Sequence, residues 1–154
     1  MEYLEIEDRA GIENSPKAAR MFMYFKKLIS ELKKKKVSSN IIQIINQEIE
    51  RINSFTGSNR ELLRMLQRSK LIIIRLLEKE LKIVPKNLYR TRWLAIGMVV
   101  FGIPFGSSFG LSLDNMAFIG IGLPIGMAIG IAVGAGMDKK AFEEGRQLDI
   151  YFES

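Results

Sequence analysis

The sequence contains no cysteine and no histidine. Without cysteine there is no disulfide, no thiolate metal site and no thiol nucleophile. Without histidine the commonest general base and metal ligand is missing. The opening MEYLEIEDRAGIENS is acidic and has no apolar core, so no signal peptide is expected there. The first segment able to engage a membrane is then internal. A phosphate-binding glycine loop is also missing, because the glycine repeats lie inside apolar stretches and not between a strand and a helix. These absences argue against an enzyme: no catalytic residue, cofactor or metal site is expected.

What the sequence has in excess is glycine and charge, each confined to its own part of the chain. Residues 1–92 carry 20 Lys and Arg against 11 Asp and Glu, whereas residues 93–137 carry one charge, Asp114. A basic excess beside apolar runs points to anionic lipid headgroups as partner ahead of nucleic acid. The run Gly120–Gly136, GIGLPIGMAIGIAVGAG, has a small residue at every even position. On a helix this makes two adjacent small-residue stripes, 122/126/130/134 and 120/124/128/132/136. Such stripes let backbones approach closely, which drives helix association in a bilayer. The period-two alternation also fits a strand. A β-hairpin is disfavoured because two strands cannot close a barrel and Pro124 would remove a ladder bond.

Ahead of the apolar region the pattern predicts three helices. Residues 1–14 read as a polar, partly disordered arm. Ser15-Pro16 is a helix start, and Ala18, Phe22, Phe25, Ile29 and Leu32 form one apolar face. Lys33–Lys36 closes this helix, either as a solvated end that meets the macrodipole or as a lipid or nucleic-acid patch. Asn40 with Gln43 resembles a capping box, followed by the face Ile42, Ile45, Ile49 and Ile52. Ser58 with Glu61 is a second capping box. The third helix is expected from Asn59 to about Val84, with Leu71–Ile74 making it the centre of the bundle, and Pro85 is expected to end or kink it.

Two uncharged runs follow, 93–113 and 116–137, joined by Asp114-Asn115. The first, as a helix, is about 31 Å long at about 1.5 Å per residue, against a hydrocarbon core of about 30 Å. So short a connection predicts an antiparallel transmembrane hairpin over 89–137. Lys86, Tyr89, Arg90, Arg92 and Trp93 around the start of the first span, and Lys139 and Lys140 after the second, form the expected membrane interface. The positive-inside rule then places both termini in the cytoplasm. Gly102, Gly106 and Gly110 form a glycine groove in the first span, suited to packing against the second span or a neighbouring subunit; with Gly122, Gly126, Gly130 and Gly134 they are the expected helix-packing and oligomerisation residues. Ser107, Ser108 and Ser112 are candidates for bonds across helices, and Pro104 and Pro124 for hinges.

The fold class expected is therefore all-α: a basic cytosolic helical domain over 15–88, the hairpin, and a cytosolic tail over 138–154 read as a short amphipathic helix. The alternating glycine run in a two-helix hairpin is similar to the ring subunit of rotary ATP synthases. That resemblance is one of packing only, because neither span carries that family's mid-membrane carboxylate. Gly120–Ile150, ending MDKKAFEEGRQLDI, resembles the C-terminal part of small bacterial glycine-zipper membrane proteins. This resemblance implies a bacterial inner-membrane setting and no activity. The function expected is a self-associating membrane scaffold, anchor or regulator. A pore gated by the helical domain is the alternative, and recruitment of nucleic acid or an unknown cytosolic partner by the basic domain a third reading.

Overall fold

The computed structural model describes residues 2–115, 117 and 119–152. Met116, the expected first residue of the second span, lies outside them. The protein is mostly helical. Its helices are α1 (Pro16–Lys33), α2 (Ser39–Asn53), α3 (Asn59–Leu81), α4 (Leu88–Ser112) and α5 (Ile119–Glu143). Strands β1 (Val84–Lys86) and β2 (Gln147–Tyr151) pair in a two-stranded sheet, a departure from an all-α chain. The chain forms two compact units. One runs to Val84 and includes Leu148–Ile150; the other runs from Pro85 to Gln147 and includes Tyr151 and Phe152.

In the first unit the apolar faces read from the sequence are the buried ones. Ala18, Phe22, Phe25, Ile29 and Leu32 of α1 are buried, as are Ile42, Ile45, Ile49 and Ile52 of α2. Leu62, Leu66, Ile73 and Leu77 of α3 complete the core, joined by Leu148 and Ile150. The expected dense centre of α3 is only half buried: Ile73 and Ile74 are covered, whereas Leu71 and Ile72 are 48% and 44% exposed. Four successive helical positions point around most of the cylinder, so one core cannot cover them all.

Helix starts and stops differ from expectation in two places. The Ser58–Glu61 capping box is formed, with both reciprocal bonds present. The Asn40–Gln43 box is not, because α2 starts two residues earlier, after extended Ser38. Asn40 then lies inside the first turn. Helix α3 stops at Leu81, short of Val84, through Lys82 in the left-handed region at φ 56°. The β-branched pair Ile83-Val84 ahead of Pro85 favours extended backbone there.

The arm before α1 is ordered, against expectation. Its residues Glu2 to Arg9 form no helix or strand but are held by side chains. Asn46 donates to Glu2 O at 2.9 Å and accepts from Leu4 N at 2.9 Å. Asn53 does the same for Glu5 O and Glu7 N, at 2.9 and 3.2 Å. Ile6 enters the core, 8% exposed. The composition of the arm is that of a disordered segment, and the asparagines that hold its backbone lie more than 40 residues away.

The tail is not the expected separate amphipathic helix. Residues to Glu143 extend α5, which ends through Gly145 at φ 67°. There Gly145 N–H donates to Phe142 O and Arg146 N–H to Ala141 O, the paired bonds of a Schellman motif. The chain then enters β2.

Candidate functional site

The second unit is built on α4 and α5, two helices apolar and long enough to cross a membrane. Helix α4 begins at Leu88, so Tyr89, Arg90, Arg92 and Trp93 occupy its first turns. It ends in a Schellman motif: Asp114 is left-handed at φ 49°, Asn115 N–H donates to Gly110 O and Asp114 N–H to Leu111 O. The polar pair read as a turn is thus the C-terminal stop of α4.

Helix α4 is not uniformly α. Met98–Gly102 forms one π-helical turn, closed by Ile103 N–H donating to Met98 O. Pro104 explains its position. The ring has no N–H and crowds the carbonyl four residues back, and a widened turn just before it accommodates both. Pro124 sits inside α5 without interrupting the helical assignment.

This π turn sets which residues face α5. In a regular α-helix the stripe Gly102, Gly106, Gly110 continues backwards to Met98. With one extra residue in the turn it continues to Gly97. A Cβ added at Gly97 would fall 2.8 Å from Gly130 Cα and closer still to Gly126 O. The rest of the contact is equally tight. A Cβ at Gly122 would meet Gly106 Cα at 2.6 Å, one at Gly126 would meet Gly102 Cα at 2.7 Å, and one at Gly134 would meet Arg90 Cα at 2.5 Å. At Gly130 the obstacle is the Trp93 carbonyl. The stripe 122/126/130/134 therefore lies on the backbone of α4, with Gly102 and Gly106 opposite and Gly110 also buried. Gly97 escaped the sequence reading because a fixed period of four cannot register a π turn.

Asp138 escaped it as well. It continues the same stripe, four residues beyond Gly134, and is 7% exposed. Its carboxylate accepts the backbone N–H of Tyr89 at 3.2 Å and of Arg90 at 3.0 Å. Asn87, the residue before α4, makes no side-chain cap. The anion that satisfies the free N–H groups and meets the positive end of the α4 dipole thus comes from the partner helix.

The second stripe of α5 is not covered by the described residues. Gly120, Pro124, Ala128, Ala132 and Gly136 are all exposed, and a Cβ at Gly120 or Gly136 would meet nothing within 4 Å. Phe105 and Phe109 of α4 are exposed too, with Phe101 and Phe105 stacked at 6.4 Å. Ser107 does not bond across helices: its hydroxyl donates to Ile103 O at 2.8 Å on its own helix. Of the expected interface residues, Lys86 lies over the Tyr151 ring at 5.4 Å, and Lys139 pairs with Glu143 and Lys140 with Glu144. No group of acidic residues among the described residues is placed to hold a metal ion. The chain matches no protein-family profile, no curated protein and no solved structure.

Proposed function

We propose that this chain is a two-pass membrane protein of the bacterial inner membrane that self-associates through α5 and carries a basic helical domain in the cytoplasm as scaffold, anchor or regulator. The reading rests on one observation. The face Gly120/Pro124/Ala128/Ala132/Gly136 is small, uncharged and exposed, while the neighbouring stripe is already used inside the hairpin. Apolar surface as such gains nothing by association in lipid, but a smooth small-residue face gains close backbone packing. The glycines first read as oligomerisation residues act, on this proposal, within one chain, and the adjacent stripe acts between chains. Lys86, Arg90, Arg92, Lys139 and Lys140 supply the cations that anionic headgroups at the cytoplasmic side attract.

The test is Ala132→Leu. Residue 132 is exposed, so the hairpin tolerates the larger side chain while a second copy does not. Crosslinking in native membranes should show oligomers of the unaltered protein and their loss in the variant. Oligomers that persist undiminished in Ala132→Leu and in Ala128→Leu refute the interface.

A further inference from the structure

The way α2 holds the arm is the way a peptide-binding groove holds a peptide. An asparagine side chain carries one acceptor and a donor pair, and a peptide backbone offers the complementary carbonyl and N–H. Asn46 and Asn53 each use both, taking the carbonyl of one arm residue and the N–H of the residue two further on. The two asparagines are seven residues apart on α2, about 10.5 Å at about 1.5 Å per residue. The two arm segments they hold are three residues apart, about 9–10 Å for extended backbone. The helix repeat and the extended repeat therefore match, and the grip reads no side chain.

Side chains enter at the same period of three. Tyr3 and Ile12 pack against the core and Ile6 is part of it. Arg9 donates to the carbonyls of Phe55 and Gly57, and Asn59 donates to Gly11 O at 2.7 Å. Between these positions the arm is acidic, and Glu5 and Asp8 pair with Lys33 and Lys26 of α1. Four of the arm's residues from Glu2 to Asp8 are thus acidic, set in a groove whose α1 wall is basic. Among the described residues, Glu2 to Arg9 make no backbone–backbone hydrogen bond, so no helix depends on the arm for its own ladder. The fit is also imperfect, since the Tyr3 hydroxyl is buried without a partner among the described residues.

We infer that the groove between α1 and α2 is a binding site for an extended acidic segment of a partner protein, and that the arm is its displaceable resident ligand. The recognised pattern is an apolar side chain at the Ile6 position, carboxylates at the Glu5 and Asp8 positions, and an aromatic ring at the Tyr3 position. Tethering gives the arm an effective concentration of about millimolar, so it holds the groove until a partner with further contacts arrives. This inference stands on the first unit alone and does not depend on the membrane reading.

The probe is a fluorescent peptide with the sequence EYLEIEDRAG, titrated into the full chain in detergent micelles. Ile6→Ser loosens the tethered arm and leaves every groove residue intact. The peptide should bind this variant at least tenfold more tightly than the unaltered protein and weaken as salt rises. Adding Asn46→Ala and Asn53→Ala should cost about tenfold again. A peptide with Phe in place of Tyr should bind more tightly, because no hydroxyl is left unsatisfied. Equal binding of a scrambled peptide, or no saturation in an Ile6→Ser variant of unchanged helicity, overturns the inference. Should that variant unfold, hydrogen exchange on the unaltered protein decides. The Leu4 and Glu7 amides should exchange by local opening, well before the α1 and α2 cores; exchange only with global unfolding makes the arm an integral part of the fold and refutes it. Release of these amides by anionic vesicles and not by the peptide would refute it too, by assigning the groove to headgroups.

Discussion

The carboxylate of Asp138 caps the first turn of α4 by accepting the N–H of Arg90 at 3.0 Å, across 48 residues of sequence. Caps are ordinarily local, and an anion at a helix N-terminus is worth most when partly buried. Asp138→Ala should therefore cost about 1–2 kcal/mol and raise hydrogen exchange at Tyr89 and Arg90 before any other part of α4. Asp138→Asn keeps an acceptor without the charge and should fall between the two. Equal exchange in Asp138→Ala and the unaltered protein would show that the cap contributes nothing.

The two stripes of α5 separate by substitution. Gly130→Leu must push its side chain into the Trp93 backbone, so the helices part or the chain fails to form the hairpin, at a cost of at least about 2 kcal/mol. Gly136→Leu meets open space and should leave the hairpin intact. Unfolding titrations in mixed micelles compare the two directly. Equal losses would show that the stripes are not distinct.

How far the sequence reading reached depended on period. The faces of α1 and α2 and the Ser58–Glu61 cap were legible because they obey rules that act within two turns of helix. The two small-residue stripes of α5 were legible for the same reason, but not which of them lies on α4. Gly97 was not, because a proline seven residues away changes the helix count between it and Gly102. Asp138 looked like one tail charge among several, although its place on the 122/126/130/134 series was the available signal. The arm read as disordered because its order is supplied by Asn46, Asn53 and the core that receives Ile6, none of which a local rule connects to it. Strand β2 was lost in the tail for a like reason: the alternation of Leu148 and Ile150 spans too few residues to outweigh the charges beside it.

Acid should loosen one attachment in the first unit. Glu31 is largely buried; its carboxylate accepts from Lys34 Nζ at 2.5 Å and from the Asp149 N–H at 3.2 Å. The Lys34 ammonium foremost, helped by the Asp149 N–H, holds the Glu31 carboxyl below its ordinary 4.5, against the opposing effect of burial and the Asp149 charge. A depressed folded value means a contribution complete above pH 4.5 that vanishes as pH falls through the folded pKa. Glu31→Gln should therefore lower stability by about 1 kcal/mol at pH 7, with the difference shrinking toward zero as the pH falls below 4.5 and through the folded pKa. Thermal melts of both proteins across that range check it, and a difference that stays constant with pH contradicts it.

The π turn yields the sharpest contrast between neighbouring residues. If α4 were regular through Met98, that side chain would face α5 and Gly97 would be free to change. With the turn present, Gly97 is buried and lies against Gly126 and Gly130, while Met98 is only half buried. Gly97→Val should therefore destabilise the hairpin by at least about 2 kcal/mol, and Met98→Ala should cost less, about 1 kcal/mol, because it removes only the packing contacts of a half-buried side chain. Pro104→Ala restores the missing N–H and removes the clash that favours the wide turn. In that background α4 can return to a regular register, which carries Met98 toward the α5 glycines and Gly97 away. The Gly97→Val penalty should then shrink and the Met98→Ala effect should grow. A double-mutant cycle between positions 97 and 104 measures this coupling, and strict additivity would show that Pro104 does not set the register.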